Sequence, residues 1–193
     1  MRRLALICHA STAATRLAAF PVDEPVEPKA LDKALDKALD GATLPARLRK
    51  PAQCWTSPAL RATQTAQALA LSATVEPQLR DCDYGRWAGR TLSDIERDEG
   101  EAMAQWLGDP AAAPHGGESI EELIARVGSW LDGLDAASGQ LVAVTHQSVI
   151  RAALVHALGA TPAAFWRIDV PPLAIVELRG SGARWTLAFR DGA

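Results

Sequence analysis

The sequence predicts an α/β fold: a three-layer α/β/α sandwich around a mostly parallel central sheet, finished by a C-terminal antiparallel hairpin. Three observations predict it. Apolar runs of strand length alternate with segments whose apolar residues recur at helical spacing. The two clearest runs, Leu4–Cys8 and Gln140–Thr145, are apolar through their centres, as in strands covered on both faces. Near the C-terminus, Arg179-Gly180-Ser181-Gly182 separates two strand-like segments, Leu173–Leu178 and Ala183–Phe189. Alanine supplies about a fifth of the residues and aromatics only 5%, which predicts closely packed helices.

The elements follow in order. After the first strand, Ser11–Phe20 starts a helix with Ser11 or Thr12 as its cap. Pro21, Pro25 and Pro28 punctuate an acidic connector. From Ala30 to Asp40 the sequence repeats every four residues, and Leu31, Leu35 and Leu39 form one stripe, an amphipathic helix closed by Gly41 with a solvated charged face. Ala52–Thr56 reads as a second strand; Ser57 then caps a helix through about Leu69, with Pro58 in its first turn. Leu92–Trp106 is helical in two pieces around Gly100, and Pro110 and Pro114 mark a loop. Ile120, Leu123, Ile124, Val127 and Leu131 give Ser119–Leu134 a helical face, and Val149–Leu158 is the last helix.

At 193 residues the chain fits one folding unit, residues 1–193, with no linker that divides it. With 20 Lys+Arg against 23 Asp+Glu the net charge is −3, so no basic footprint points to nucleic acid or an anionic membrane. The N-terminal apolar run is too short for a secretory signal or a membrane span. Cys8, Cys54 and Cys82 match neither a disulfide framework nor a zinc pattern, and a reducing cytoplasm is the expected location. Cys8 and His9 are neighbours on a strand and point to opposite faces, which argues against a shared metal.

The chemistry gathers where strands end. The first strand runs into Cys8-His9-Ala10-Ser11-Thr12, the last parallel strand into Thr145-His146-Gln147, and the strand before it into Ser57-Pro58-Ala59-Leu60-Arg61. In parallel sheets ligands sit beyond the carboxyl ends of the strands. Two histidines and an arginine on one rim therefore indicate a shared anion site.

These segments resemble the blocks of the histidine phosphatase (phosphoglycerate mutase-like) superfamily. Residues 8–12 are similar to its Arg-His-Gly-x-Thr signature. Residues 57–66, Ser-Pro-Ala-Leu-Arg-Ala-Thr-Gln-Thr-Ala, resemble Ser-Pro-x-x-Arg-Ala-x-Gln-Thr-Ala. Leu79–Gly89 resembles its Leu-x-Glu-x-x-x-Gly-x-Trp-x-Gly segment, Gly117-Glu118-Ser119 its Gly-Glu-Ser block, and Val144-Thr145-His146 its second histidine. The blocks occur in the family's order across residues 4–151, and the length matches the small phosphatases of the family rather than the longer mutases.

The resemblance implies a phosphomonoester hydrolase. His9 would be the nucleophile and take the phosphoryl group as a phosphohistidine. Arg61 and His146 would bind its oxygens, and Asp81 would be the general acid and then base. Thr15 and Arg16 complete the expected phosphate contacts. No metal or organic cofactor is required. The substrate would be a small phosphorylated compound, the protein a monomer or homodimer, and Asp83-Tyr84-Gly85-Arg86-Trp87 looks most like the α-ribazole phosphatases.

The departures are as informative. Cys8 stands where the family has arginine, so one fixed charge is missing; Arg16 either reaches back from its helix as a substitute or is an exposed, solvated helix arginine. Asp81 replaces the usual glutamate and is one methylene shorter, with Asp83 as a backup acid or a turn-stabilising carboxylate. The competing reading is a weakened or inactive family member that binds a phosphorylated ligand or a protein partner. Around the site, His115 is expected to be an exposed loop histidine and His156 a helix-surface or core one. Glu118 and Ser119 are read as helix capping or pocket contacts. Trp55 is expected near the site, and Trp185, Leu187 and Phe189 on the buried face of the last strand.

Overall fold

The computed structural model describes residues 2–32, 45–134, 139–181 and 184–189. Six strands form one sheet: β1 (Arg2–Cys8), β2 (Gln53–Thr56), β3 (Thr74–Val75), β4 (Gly139–Thr145), β5 (Ile175–Ser181) and β6 (Arg184–Ala188). Their order is β3-β2-β4-β1-β5-β6. Pairings among β1 to β4 are parallel; β5 joins β1, and β6 joins β5, antiparallel. The helices are α1 (Ala13–Leu17), α2 (Leu60–Ala68), α3 (Leu92–Gly108), α4 (Ile120–Asp132) and α5 (Gln147–Leu158).

The two-residue alternation of a strand sorts the core into two layers. Leu4, Leu6 and Cys8 of β1, with Leu141 and Ala143 of β4, pack against α3, α4 and α5. Ala5 and Ile7, with Val142 and Val144, face α2 through Ala62 and Ala66, and also meet Leu48. The small residues let helices approach closely. Gly128 of α4 shows this, since a Cβ there would lie 2.4 Å from the His156 ring on α5. His156 holds its place on that helix surface beside Asp132, 3.1 Å away.

Several boundaries differ from expectation for identifiable reasons. α1 stops at Leu17 because Ala18 takes a left-handed conformation, φ +49°. Its cap is Thr12, which forms a reciprocal box with Thr15. The kink in α3 falls at Glu99, beside Gly100, where the carboxylate turns to Arg86, Arg90 and the Trp87 indole N–H. β5 continues through Arg179, Gly180 and Ser181, which were expected to turn. Gly180 faces Trp185 across the ladder, and a Cβ there would come within 3.0 Å of that ring. The glycine makes room for an aromatic cross-strand neighbour. Trp185 is buried and Leu187 half-buried, but Phe189 is 83% exposed, so the expectation for Phe189 fails. β3 carried no usable sequence signal, being two residues long. Of the expected 30–40 helix, residues 30–32 are helical and the remainder lies outside the described residues.

Candidate active site

Strand register builds the rim. Cys8 pairs with Thr145, and the His9 N–H donates to the Thr145 carbonyl at 2.9 Å, so His9 and His146 leave the sheet side by side. Their ring centroids are 5.2 Å apart. β2 ends level with them, because the Ser57 N–H donates to the Val144 carbonyl at 2.9 Å. α2 then carries Arg61 to the same place. Thr65, one turn on, accepts from the Ala10 N–H at 3.0 Å and so ties the chain after His9 to that helix.

The His9 ring is held in one orientation. Its Nδ1 lies 2.8 Å from the Ala10 carbonyl, an acceptor, so the proton sits on Nδ1 and Nε2 keeps its lone pair. Burial lowers its pKa, Ala10 partly restoring it and Arg61 lowering it further. At neutral pH the ring is an uncharged imidazole on the wall of a narrow cleft, shared with Cys8, Thr12, Thr15, Asp81, Tyr84 and Gln147.

On the same wall, Asp81 gathers donors. Its Oδ2 accepts from Arg61 Nη2 at 2.8 Å and lies 3.3 Å from His146 Nδ1. Its Oδ1 accepts from the Cys82 N–H at 2.9 Å and from the Ser148 hydroxyl. Burial alone would raise this carboxyl; His146, Arg61 and Ser148 outweigh it and bring the pKa down to about 2. Burial, with Arg61 and His9 beside it, draws His146 down to about 3 despite Asp81. Its Nε2 lies 2.7 Å from Ser57 Oγ. Arg61 Nη1 donates to the Val22 carbonyl at 2.7 Å, while its buried Nε has no partner among the described residues. That orphaned N–H is a donor for an oxyanion.

The structure thus brings His9, Arg61, Asp81 and His146 together, and Thr15 borders the same cleft. Arg16 is not part of the group. Its side chain is 61% exposed and its Nε bonds Glu27 at 2.9 Å, so it does not replace the missing cation. Cys8 supplies no charge either: burial, and then Asp81, push its thiol up to about 12. Asp83 takes the turn role, its Oδ1 accepting from the Gly85 N–H at 2.9 Å.

Other residues depart from expectation. Ser57 does not occupy the cap position of α2, which is Ala59; its hydroxyl accepts from the Ala59 N–H at 3.3 Å and also meets His146. His115 is 2% exposed, not a loop-surface residue; its Nδ1 accepts from the Gly117 N–H at 3.0 Å and its ring packs 5.0 Å from Trp87. Glu118 is held by Arg126 through two bonds of 2.7 Å, and Ser119 caps α4 in a box with Glu122. Trp55 is edge-on to Trp130 and borders a surface depression with Arg49 and Ser72, away from the cleft. Two contributors carried no sequence signal. Ser148 follows an ordinary His-Gln dipeptide. Glu24, on the proline-punctuated connector, turns both carboxylate oxygens inward without a partner among the described residues, and its charge acts on His9.

Residues 4–191 match the histidine phosphatase superfamily, branch 1. The chain belongs to that superfamily. A glucosyl-3-phosphoglycerate phosphatase of Mycobacterium tuberculosis is 35% identical over 133 residues, 61% of this chain and 59% of that protein. A bifunctional protein of the same species is 33% identical over 138 residues, 66% of this chain and 37% of its own length. The chain thus spans well under two thirds of these curated relatives. Among solved structures, a mycobacterial glucosyl-3-phosphoglycerate phosphatase in complex with VO3 superposes with a TM-score of 0.83 at 26% identity, covering 97% of this chain and 98% of that one. A putative α-ribazole-5′-P phosphatase of Escherichia coli shares the fold, with a TM-score of 0.84 at 21% identity, covering 99% and 96%. Among the described residues no helix is long and apolar enough to cross a membrane.

Proposed function

We propose that this histidine phosphatase family member hydrolyses a phosphomonoester through a phosphohistidine on His9. The observation that carries the reading is the His9 tautomer: Nδ1 is engaged by the Ala10 carbonyl, and Nε2 is left as a neutral nucleophile beside a buried arginine. A substrate phosphoryl group entering the cleft takes over Arg61 and His146 from Asp81. Asp81 then loses its counter-charge and gains a neighbouring dianion, both of which raise its pKa toward a value at which it binds a proton.

In the first step the Nε2 lone pair forms the N–P bond as the ester P–O bond breaks, and protonated Asp81 gives its proton to the leaving alkoxide. In the second, Asp81 takes a proton from water, the oxygen of that water bonds to phosphorus, and the N–P electrons return to His9. Inorganic phosphate leaves. The residues are disposed for an ester of some size, since the cleft continues into a wider groove. The α-ribazole phosphatase reading rests on a short sequence likeness and a shared fold, while the curated relatives of higher identity act, by name, on a glucosylated phosphoglycerate. The substrate class we support is therefore a phosphomonoester of a polar metabolite, broader than either.

The experiment is hydrolysis of p-nitrophenyl phosphate with vanadate inhibition, repeated in His9→Ala. Turnover that vanadate stops and His9→Ala abolishes, with an acid-labile phosphoenzyme in the wild type, supports the reading. A second reading has its own observation: Cys8 is uncharged, and the buried Arg61 is already neutralised by Asp81. On that reading the protein binds a phosphorylated ligand without turnover, and wild type and His9→Ala would share the same background rate while still binding phosphate.

A further inference from the structure

Beyond the catalytic cleft, and sharing Thr15, Ala19, Pro21, Tyr84 and Gln147 with it, lies a wider groove. Its walls are aromatic and apolar: Phe20, Tyr84, Met103, Trp106, Phe165 and Trp166. One cation faces this space. Arg151 stands one helical turn beyond Gln147 on α5, half-buried in the groove wall. Its Nε donates to the Ile168 carbonyl at 2.7 Å, and its guanidinium carbon lies 5.6 Å from the Phe165 ring centre. Those contacts fix the plane of the group.

Arg151 differs from several arginines of the protein in what it lacks. Arg16, Arg61, Arg86, Arg90, Arg97 and Arg126 each meet a carboxylate within ion-pair distance. Arg151 meets none among the described residues, and its Nη1 and Nη2 make no hydrogen bond there. Its charge is felt at Cys8 on the floor of the cleft, so it belongs to the same electrostatic environment as His9.

We infer that Arg151 is the anchor of a second anion subsite, which holds a carboxylate on the alcohol portion of the substrate phosphomonoester. With Nε occupied, the free Nη1–Nη2 edge presents two parallel N–H donors, the geometry that matches a carboxylate bidentately. A single cation in an apolar wall balances one negative charge; a second phosphate dianion would leave charge uncompensated. The aromatic walls between the two anion positions accept the apolar face of a ring or chain. This subsite deepens, and rests on, the phosphomonoesterase reading above.

The test uses two pairs of esters that differ only by a carboxylate: O-phosphoserine with O-phosphoethanolamine, and 4-(carboxymethyl)phenyl phosphate with 4-methylphenyl phosphate. In at least one pair the wild type should favour the carboxylate ester in kcat/KM by about tenfold or more, the size of a lost charge-assisted bond. Arg151→Met should bring that ratio to within about twofold of unity. Arg151→Lys keeps charge without the fork and should give an intermediate ratio, which also serves if the methionine variant does not fold. A ratio near unity in the wild type for both pairs, or one unchanged in the variants, overturns the subsite. If no ester is turned over, the phosphatase reading has failed. Calorimetric titration of the same esters into wild type and variants then decides the subsite by the same ratios in Kd.

Discussion

Arg61 Nη2 donates to Asp81 Oδ2 at 2.8 Å, so the buried guanidinium is already paired with a carboxylate. Asp81 borders the cleft, whereas Arg61 is 3% and His146 0% exposed behind it. An incoming phosphate therefore binds by exchange, displacing one carboxylate rather than filling an empty cradle. Asp81→Asn removes the competitor and should tighten vanadate inhibition by about tenfold or more, while kcat falls by about 10²–10⁴ through loss of the acid. The unpaired Arg61 also lowers stability. Added phosphate should consequently raise the melting temperature of the variant by more than that of the wild type. Weaker vanadate binding in the variant would remove the exchange argument.

The same pairings set the response to acid. Asp81 has a folded pKa of about 2, below the ordinary 3.8, so its contribution to stability is present above pH 4 and is lost as pH falls through about 2. That contribution is about 2 kcal/mol. His146 works over a higher window. Its folded pKa of about 3 lies below the ordinary 6.5, so below pH 6.5 the unfolded chain takes up a proton that the native protein refuses. Stability should accordingly begin to fall near pH 6.5, not near pH 4. Urea unfolding of wild type and His146→Gln across pH 7 to 4 measures this, with the slope between 6.5 and 4 flattened in the variant.

Cys8 leaves the phosphate with one fewer fixed charge, and Arg16 does not restore it, being turned to Glu27 at the surface. Restoring the arginine should therefore help. Cys8→Arg is expected to raise kcat/KM for p-nitrophenyl phosphate by about tenfold or more, within the range that a single transition-state donor supplies. Arg16→Ala should change it by less than about twofold, since the Arg16 side chain is turned to Glu27 at the surface and does not line the cleft. A large loss in Arg16→Ala, with no gain in Cys8→Arg, would mean that the helix arginine swings inward when substrate binds.

How far the sequence reached follows from what each signal measures. Apolar periodicity located β1 and β4 because both are buried on two faces, and the His9, Arg61 and His146 positions followed because each sits at or just past a strand end. Periodicity has no hold on β3, two residues long, or on the extension of β5 through Gly180, where the reason for glycine is a tryptophan across the ladder. Side-chain direction was less legible still. Nothing in the local sequence says that Ser57 also meets His146, that Ser148 meets Asp81, or that Arg151 faces a groove without a carboxylate. These are relations between segments far apart in the chain, and only packing fixes them.

Packing also explains motif residues that carry no chemistry. Gly85 and Gly117 belong to segments that resemble family blocks, yet neither lines the cleft. They press two loops together. A Cβ on Gly117 would lie 2.0 Å from the Asp83 carbonyl oxygen, and one on Gly85 would lie 2.2 Å from the His115 carbonyl oxygen at a φ of +48°. The Glu118 N–H donates to the Asp83 carbonyl at 2.8 Å, so the contact fixes the segment that begins with Asp81 and Tyr84. Gly117→Ala must separate two backbones and should destabilise the protein by about 3 kcal/mol or more. Activity should fall with it, because a displaced 81–84 segment moves the acid away from Arg61. Gly100→Ala is the same substitution where no atom lies within 4 Å, and it should be neutral or stabilising by up to about 1 kcal/mol. Urea denaturation of the two variants separates the cases. Equal effects would show that backbone entropy rather than loop contact selects glycine at position 117.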